Sequence, residues 1–141
     1  MSAHALIYPM FAMVVLSFTV LITLFFTRAK SVRDAKVSAS HFQTYNESTE
    51  PDRSIRLSRH FINLFEAPVL FYVACLSAMT VGVTDTAVVA LAWVYVALRL
   101  AHALIHTGPN ILIWRIAAYF SSWFVLLALW GYVVVTVSMQ G

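Results

Sequence analysis

The stretch LIYPMFAMVVLSFTVLITLFFT, residues 6–27, decides the class of fold because it contains no charged side chain. A helix needs roughly 20 apolar residues to cross the hydrocarbon core of a bilayer, and this stretch is long enough. Three more apolar stretches of sufficient length follow, at about residues 60–82, 86–107 and 113–139. The sequence therefore predicts an all-α integral membrane protein, a four-transmembrane-helix bundle that forms one domain over residues 1–141.

Composition supports a membrane protein over a soluble one. Apolar residues make up 61% of the chain, charged residues only 11%, and the mean hydropathy is +0.82. A soluble domain with so few charges would have no adequate polar surface. Cys75 is the one cysteine, so no intrachain disulfide is possible. No nucleic-acid-binding motif is present, and we expect no nucleic-acid partner.

The basic residues predict the orientation. Seven of the nine Lys and Arg residues fall within the loop at residues 28–59, and the positive-inside rule then places this loop in the cytoplasm. Both termini should lie on the non-cytoplasmic side. Asn46-Glu47-Ser48 fits a glycosylation pattern, which we discount because it would face the cytoplasm. The short loops are typical of a bacterial inner membrane protein, although the same rule would also fit the endoplasmic reticulum.

Ionisable side chains inside the spans are the candidate functional residues, because a charge at the bilayer centre costs at least about 2.5 to 3.5 kcal/mol. At about 100° per residue, the polar groups of each span share one helical face. These groups are Arg59, Asn63 and Glu66 in the second span, Arg99, His102 and His106 in the third, and Arg115 and Tyr119 in the fourth. They serve either as a site or only as hydrogen-bonding contacts between helices.

Depth in the bilayer predicts which of these groups meet. Glu66 and Arg99 lie at matching depths, so we expect them to form an ion pair. Arg59, His106 and Arg115 should form a basic layer nearer the cytoplasm. Pro68 removes a backbone donor and should bend the second span.

A metal site is not expected from the sequence. His102 and His106 stand at positions i and i+4, but no carboxylate or cysteine lies beside them in the chain. Phosphate-binding loops, nucleophile elbows and dinucleotide fingerprints are absent as well.

The motifs Arg59-x3-Asn63-x2-Glu66-x-Pro68 and Arg99-x2-His102, together with four spans and a basic first loop, resemble the MAPEG family. These are membrane-associated proteins in eicosanoid and glutathione metabolism. The resemblance covers nearly the whole chain. It implies a homotrimer in contact with membrane lipids, with glutathione as the cosubstrate bound between protomers.

The resemblance also implies roles for individual residues. Asn63 and Glu66 match positions that hold the glutathione backbone and amine, while Arg115 and Tyr119 match positions near the thiol and are the catalytic candidates. Arg59 would contribute a cation at the rim of the site for the carboxylates of glutathione. Arg99 and His102 complete the cofactor-binding candidates, and with Glu66 they would also hold the protomer together.

Three positions depart from the family pattern. A basic residue expected before the asparagine is Ile62 here, another expected before the fourth span is Ile111, and a tyrosine common near the end of the third span is His106. The first two changes remove contacts that the resemblance implies for the glutathione carboxylates.

Three functions remain open at this stage. The first is a glutathione- or thiol-dependent transferase or peroxidase that acts on a lipophilic small molecule, either an electrophile or a hydroperoxide. The second is a non-catalytic trimer or an accessory subunit of a larger membrane complex. The third is a module that binds a lipid or a quinone.

Overall fold

The computed structural model describes residues 3–45 and 50–140, and these residues are entirely helical where they form regular structure. The predicted all-α fold class is confirmed. The elements after a 3₁₀ turn at Ala3–Leu6 are α1 (Ile7–Arg33), α2 (His41–Thr44), α3 (Asp52–Asn63), α4 (Ala67–Thr80), α5 (Thr86–Thr107) and α6 (Leu112–Gln140). The glycosylation pattern at Asn46 lies outside the described residues.

Four helical segments are long and apolar enough to cross a membrane. They are His4–Arg33, Asp52–Thr80, Thr86–Thr107 and Leu112–Gln140. The first helix continues beyond residue 27 to Arg33, so Arg28 and Lys30 stand on its last two turns. Large apolar side chains on the outer surface, such as Phe18, Phe124 and Leu127, are 61 to 70% exposed, as expected for a surface that faces lipid.

The second span is two helices, which corrects the expectation of one continuous helix over residues 60–82. α3 ends at Asn63 and α4 begins at Ala67. Between them Glu66 has φ −96° and ψ −100°, outside the helical region. Pro68 lies in the first turn of α4, where its missing N–H breaks no helical hydrogen bond. The predicted bend is confirmed, as a break just before the proline.

α5 packs at the centre of the bundle. Its most extensive contacts are with α6, and it also contacts α1, α3 and α4. Phe71 of α4 and Tyr95 of α5 are fully buried and stack with ring centroids 4.4 Å apart. Small buried residues such as Ala74 and Ala92 let the helix backbones approach closely. The central position of α5 brings its polar residues into contact with neighbours on both sides.

Arg28, near the end of α1, contacts the segment that connects α1 to α3. Its Nε lies 3.1 Å from a carboxylate oxygen of Glu50, and its Nη2 donates to Ser58 at 3.2 Å. The guanidinium also lies over the ring of Phe42, 5.0 Å from the centroid. The hydrogen bond to Ser58 holds α3 against the end of α1.

Asp85 begins α5 and links it to α6. Its Oδ1 accepts hydrogen bonds from the backbone N–H groups of Ala87 and Val88, at 2.8 and 3.2 Å, and its Oδ2 accepts from Tyr132 at 2.9 Å. Desolvation would raise the pKa of Asp85, but these hydrogen bonds outweigh it and the pKa lies below its ordinary value. Gly82, with φ +76°, supplies the left-handed turn before it.

We predict that Asp85→Ala lowers the free energy of unfolding by about 1 kcal/mol, because α5 loses its N-terminal cap. Asp85→Asn is the control, since asparagine caps helices equally well. The measurement is the melting temperature in detergent, with a fall of about 2 to 5 °C expected for the alanine variant alone. Because the pKa is lowered, the contribution is complete above pH 3.8 and is lost as the pH falls through the lowered value. An equal fall in both variants would contradict the capping role.

Candidate functional site

An open cleft of about 320 Å³ lies between the break of the second span, α5 and the start of α6. It brings together all the predicted site residues except Arg99. The lining consists of seven polar side chains and two apolar ones: Arg59, Asn63, Glu66, His102, His106, Arg115, Tyr119, Ile116 and Phe120. Residues from three different spans therefore meet as the helical faces predicted.

Arg99 lies behind the cleft wall and is fully buried. Its Nη2 donates to the backbone oxygen of Asn63 at 3.2 Å and also contacts the side-chain oxygen of the same residue. The backbone oxygen of Asn63 also accepts from the N–H of Glu66 at 3.4 Å, so Arg99 provides this carbonyl at the end of α3 with a second donor. A cation at this helix C-terminus is also favoured by the helix dipole. Arg99 therefore positions Asn63 rather than lining the cleft itself.

The predicted ion pair between Glu66 and Arg99 is wrong. Among the described residues the ion pairs are Arg28 with Glu50 and Arg33 with Asp34. Glu66 is exposed on the cleft side and accepts from the side-chain amide of Asn63 at 3.0 Å. The physical reason is that the side-chain amide of Asn63 lies between the two charges, since its oxygen accepts from Arg99 and its nitrogen donates to Glu66. Matching depth in the bilayer does not reveal a side chain that separates two groups at the same level.

Arg115 is held at the cleft by the turn before α6. Its Nη1 donates to the side-chain oxygen of Asn110 at 2.7 Å. Asn110 has φ +52°, a left-handed conformation that asparagine tolerates. A Cβ on Gly108 would lie 2.7 Å from the backbone oxygen of Leu104, so the turn requires glycine there. Asn110 was not expected in the site from the sequence, although Gly108-Pro109-Asn110 is a typical turn sequence next to Arg115.

His102 and Tyr119 pack together on the floor of the cleft. Their ring centroids are 5.6 Å apart. His102 Nδ1 lies 3.1 Å from the backbone oxygen of Arg115, and because a carbonyl only accepts, Nδ1 is the donor. Tyr119 is half-buried, and its hydroxyl makes no hydrogen bond to the residues that the structure describes. This hydroxyl is available to a bound molecule.

The cleft carries two guanidinium groups, from Arg59 and Arg115, against the single carboxylate of Glu66. Arg59 is exposed and has no hydrogen-bond or ion-pair partner within residues 3–45 and 50–140. A neighbouring cleft of about 350 Å³ shares Arg59 and adds Asp52, Arg56 and Asn110. Cations outnumber carboxylates across the two clefts, and this arrangement favours an anionic ligand.

His60 packs against two residues of the cleft, His102 and His106, and its position was not expected from the sequence. It is fully buried on α3, and its ligand nitrogen lies with those of His102 and His106 in a group whose members are all within 4.8 Å of one another. The expectation of no metal considered His102 and His106 alone. Residue 60 lies on a different helix, and only the packing of α3 against α5 reveals the contact.

The fold and site define an integral membrane protein of four helical spans with a polar, cation-bearing cleft between the helices. The sequence matches the model of the MAPEG family over residues 6–135, and the chain belongs to that family. Neither curated proteins nor solved structures gave a match.

We predict a direct energetic coupling between Asn63 and Arg99. A double-mutant cycle of Asn63→Ala with Arg99→Leu should give a coupling free energy of about 1.5 to 3 kcal/mol, the usual range for a hydrogen bond to a charged group. The measurement is unfolding in mixed detergent micelles. The control cycle pairs Glu66→Gln with Arg99→Leu and should give a smaller coupling, because these side chains do not touch. A larger coupling in the control cycle would refute the assignment.

Proposed function

We propose that this protein is a thiol-dependent transferase or peroxidase, with glutathione as cosubstrate and a lipophilic electrophile or hydroperoxide as the second substrate. The observation that carries the proposal is the cleft in which Arg59, Asn63, Glu66, Arg115 and Tyr119 converge. Membership of the MAPEG family, which includes glutathione transferases and peroxidases, supports it.

The charges of the cleft suit glutathione. The cosubstrate has two carboxylates and one ammonium group, so its site needs cations at the rim and an anion within. Arg59 supplies an unpaired guanidinium, and Glu66 is free to accept from an ammonium group as well as from Asn63. Guanidinium groups bind carboxylates through paired, charge-assisted hydrogen bonds.

Arg56 offers a substitute for the cations that Ile62 and Ile111 do not supply. Ile62 and Ile111 are apolar, and they are 59% and 49% exposed, respectively. Arg56 is half-buried on α3 and lines the adjoining cleft together with Arg59 and one carboxylate, that of Asp52. A carboxylate bound between Arg56 and Arg59 would regain the contacts that the family pattern assigns to the missing basic residues.

Arg115 and Tyr119 would carry the chemistry. A guanidinium beside the glutathione sulfur stabilises the thiolate and lowers the thiol pKa. The thiolate attacks the electrophilic carbon, a sulfur–carbon bond forms, and the leaving group departs with its electron pair while the thiol proton passes to water. Tyr119 is placed to donate a hydrogen bond to the thiolate or to the leaving group. With a hydroperoxide, two thiols give a disulfide, an alcohol and water.

Access for the second substrate would come from the lipid side. Ile116 and Phe120 line the cleft on α6 and are exposed, 43 and 55%. An apolar molecule dissolved in the bilayer could reach the thiol along this wall without crossing water. The polar half of the cleft would hold the peptide and the apolar half the electrophile.

A homotrimer would complete the site. Arg59 and Glu66 are exposed on a single chain, although they belong to a segment apolar enough to cross the membrane. A charge facing lipid at that depth is unfavourable, and such residues usually face a protein interior or a water-filled cavity. A second protomer over the cleft would shield both residues and enclose the ligand.

We predict that glutathione binds saturably to the detergent-solubilised protein and that Arg115→Ala weakens this binding at least tenfold. The measurement is isothermal titration calorimetry, followed by an assay of glutathione conjugation to chlorodinitrobenzene. Arg33→Ala is the matched control, because that arginine is exposed and lies outside the cleft. It should bind and react as the unaltered protein does.

Absence of saturable binding at millimolar glutathione would refute the proposal. So would an equal loss of affinity in Arg115→Ala and Arg33→Ala. Loss of conjugation with retained binding in Tyr119→Phe would separate the role of the hydroxyl in chemistry from a role in binding.

A non-catalytic trimer is the alternative, and one contact favours it. Arg115 is already tied to Asn110, so its role could be to fix the turn before α6. In that case Arg115→Ala would lower the melting temperature while the protein showed no thiol chemistry. The calorimetric titration distinguishes the two functions. If the protein is a non-catalytic trimer, glutathione should give no heat of binding with either the unaltered protein or Arg115→Ala.

We further propose that the protein lies in a bacterial inner membrane with the loop at residues 28–59 in the cytoplasm and both termini outside. The clustering of seven basic residues in that loop supports this orientation. Cys75, the one cysteine of the chain, is fully buried, so the unaltered protein should not react with a thiol-labelling reagent.

The orientation predicts opposite labelling of two introduced cysteines. In intact spheroplasts a membrane-impermeant maleimide should label Gln140→Cys and leave Ser38→Cys unlabelled until the cells are lysed. Both positions are exposed, so access to the side chain is not limiting. The reverse pattern would place the loop on the other side, and the unaltered protein, which should remain unlabelled, is the control.

A further inference from the structure

We propose that His60, His102 and His106 form a binding site for a transition-metal cation, with Zn²⁺ as the ion that best fits the donor set. His60 comes from α3, and His102 and His106 come from successive turns of α5. The site itself does not depend on the function proposed above.

The distances suit a metal after small adjustments. The three candidate ligand atoms lie within 4.8 Å of one another. Zinc–nitrogen bonds of about 2.0 to 2.1 Å place tetrahedral ligand nitrogens roughly 3.3 Å apart, so each nitrogen needs to move by less than about 1 Å. The ring centroids are 5.4, 5.2 and 5.5 Å apart, close enough for rotation about the side-chain bonds to achieve this.

Unpartnered ring nitrogens form the second line of argument. His60 is fully buried, and neither of its nitrogens has a hydrogen-bond partner among the described residues. Nδ1 of His106 is also buried without a partner. Buried polar groups without partners are rare because they lose their hydration and gain nothing in return. A neutral imidazole has a lone pair on one ring nitrogen and a hydrogen on the other, so a metal ion would take up one lone pair from each ring.

His102 has the arrangement expected of a metal ligand. Its Nδ1–H donates to the backbone oxygen of Arg115 at 3.1 Å, which leaves Nε2 with a free lone pair. Metal-binding histidines usually donate their other ring N–H to a carbonyl or carboxylate, and this contact fixes both the tautomer and the ring orientation. In this protein the backbone oxygen of Arg115 is the acceptor for that N–H of His102.

The donor set indicates the kind of metal and what completes its coordination. Imidazole suits zinc, copper, iron and nickel, and three protein ligands with an open fourth position are typical of catalytic zinc sites. Neutral imidazoles leave the cation its full charge, and the guanidinium groups of Arg56, Arg59, Arg99 and Arg115 add to the positive charge around His106. The fourth ligand should therefore be an anion.

That anion would enter from the cleft, since His102 and His106 line it. If the anion is the glutathione thiolate, the metal activates the thiol that Arg115 also stabilises. This last step alone rests on the proposed function, and hydroxide would serve as the fourth ligand without it.

The test is Zn²⁺ binding by the full chain in detergent. Protein treated with a chelator is equilibrated with Zn²⁺, desalted and analysed for zinc by mass spectrometry. One Zn²⁺ per chain is expected, with at least a tenfold loss of affinity in His102→Ala and His106→Ala and in the conservative variant His60→Gln. His4→Ala is the matched control, because this histidine lies outside the cluster, and it should retain the metal.

A second measurement does not depend on whether the variants fold. The unaltered protein loaded with Co²⁺ should show the visible absorption of a tetrahedral ion bound by nitrogen, and glutathione should add a sulfur-to-cobalt charge-transfer band. A cobalt spectrum without that band still supports the metal site, while it counts against the thiolate as fourth ligand. The proposal would be overturned if the unaltered protein bound zinc no more tightly than His60→Gln does and its cobalt spectrum were that of an octahedral ion.

Discussion

The hydrogen bonds from Arg99 to Asn63 are the interaction on which the arrangement of the spans depends. Arg99 is fully buried near the middle of a membrane-crossing helix, and only one of its nitrogens finds acceptors among the described residues. Asn63 supplies both acceptors, its side-chain oxygen and its backbone oxygen, and both lie at the C-terminal end of α3 just before the break. A buried guanidinium without such partners would lose its hydration and gain no hydrogen bonds in return.

The same break shapes the cleft. It turns Glu66 toward the open side, where its carboxylate binds the amide of Asn63, and Arg99 holds that amide from behind. Asn63 therefore links the buried guanidinium of Arg99 to the carboxylate of Glu66 at the surface of the cleft. Across the cleft, the turn at Gly108 and Asn110 fixes Arg115 in a similar way. Both walls are set by irregular backbone next to a helix end.

Apolar length and helical periodicity were enough to predict four spans and the convergence of Arg59, Asn63, Glu66, His102, Arg115 and Tyr119. These features depend on local geometry, which a regular helix repeats reliably. The direct pairing of Glu66 with Arg99 was mispredicted because the side-chain amide of Asn63 lies between them, and neither depth nor periodicity specifies such a contact. His60 and Asn110 were missed for a different reason: their contacts join separate segments, and neither periodicity nor spacing encodes how two helices are packed together.

The unequal lengths of the helices have a consequence for how they lie in the bilayer. α5 has 22 residues and so extends about 33 Å, close to the thickness of the hydrocarbon core, whereas α6 has 29 residues and extends about 43 Å. No charged residue follows Arg115 in α6, although Thr136, Ser138 and Gln140 make its end more polar than its middle. A helix longer than the hydrocarbon core is accommodated by tilting, by kinking or by local thickening of the bilayer. α6 therefore needs one of these adjustments, whereas α5 needs none.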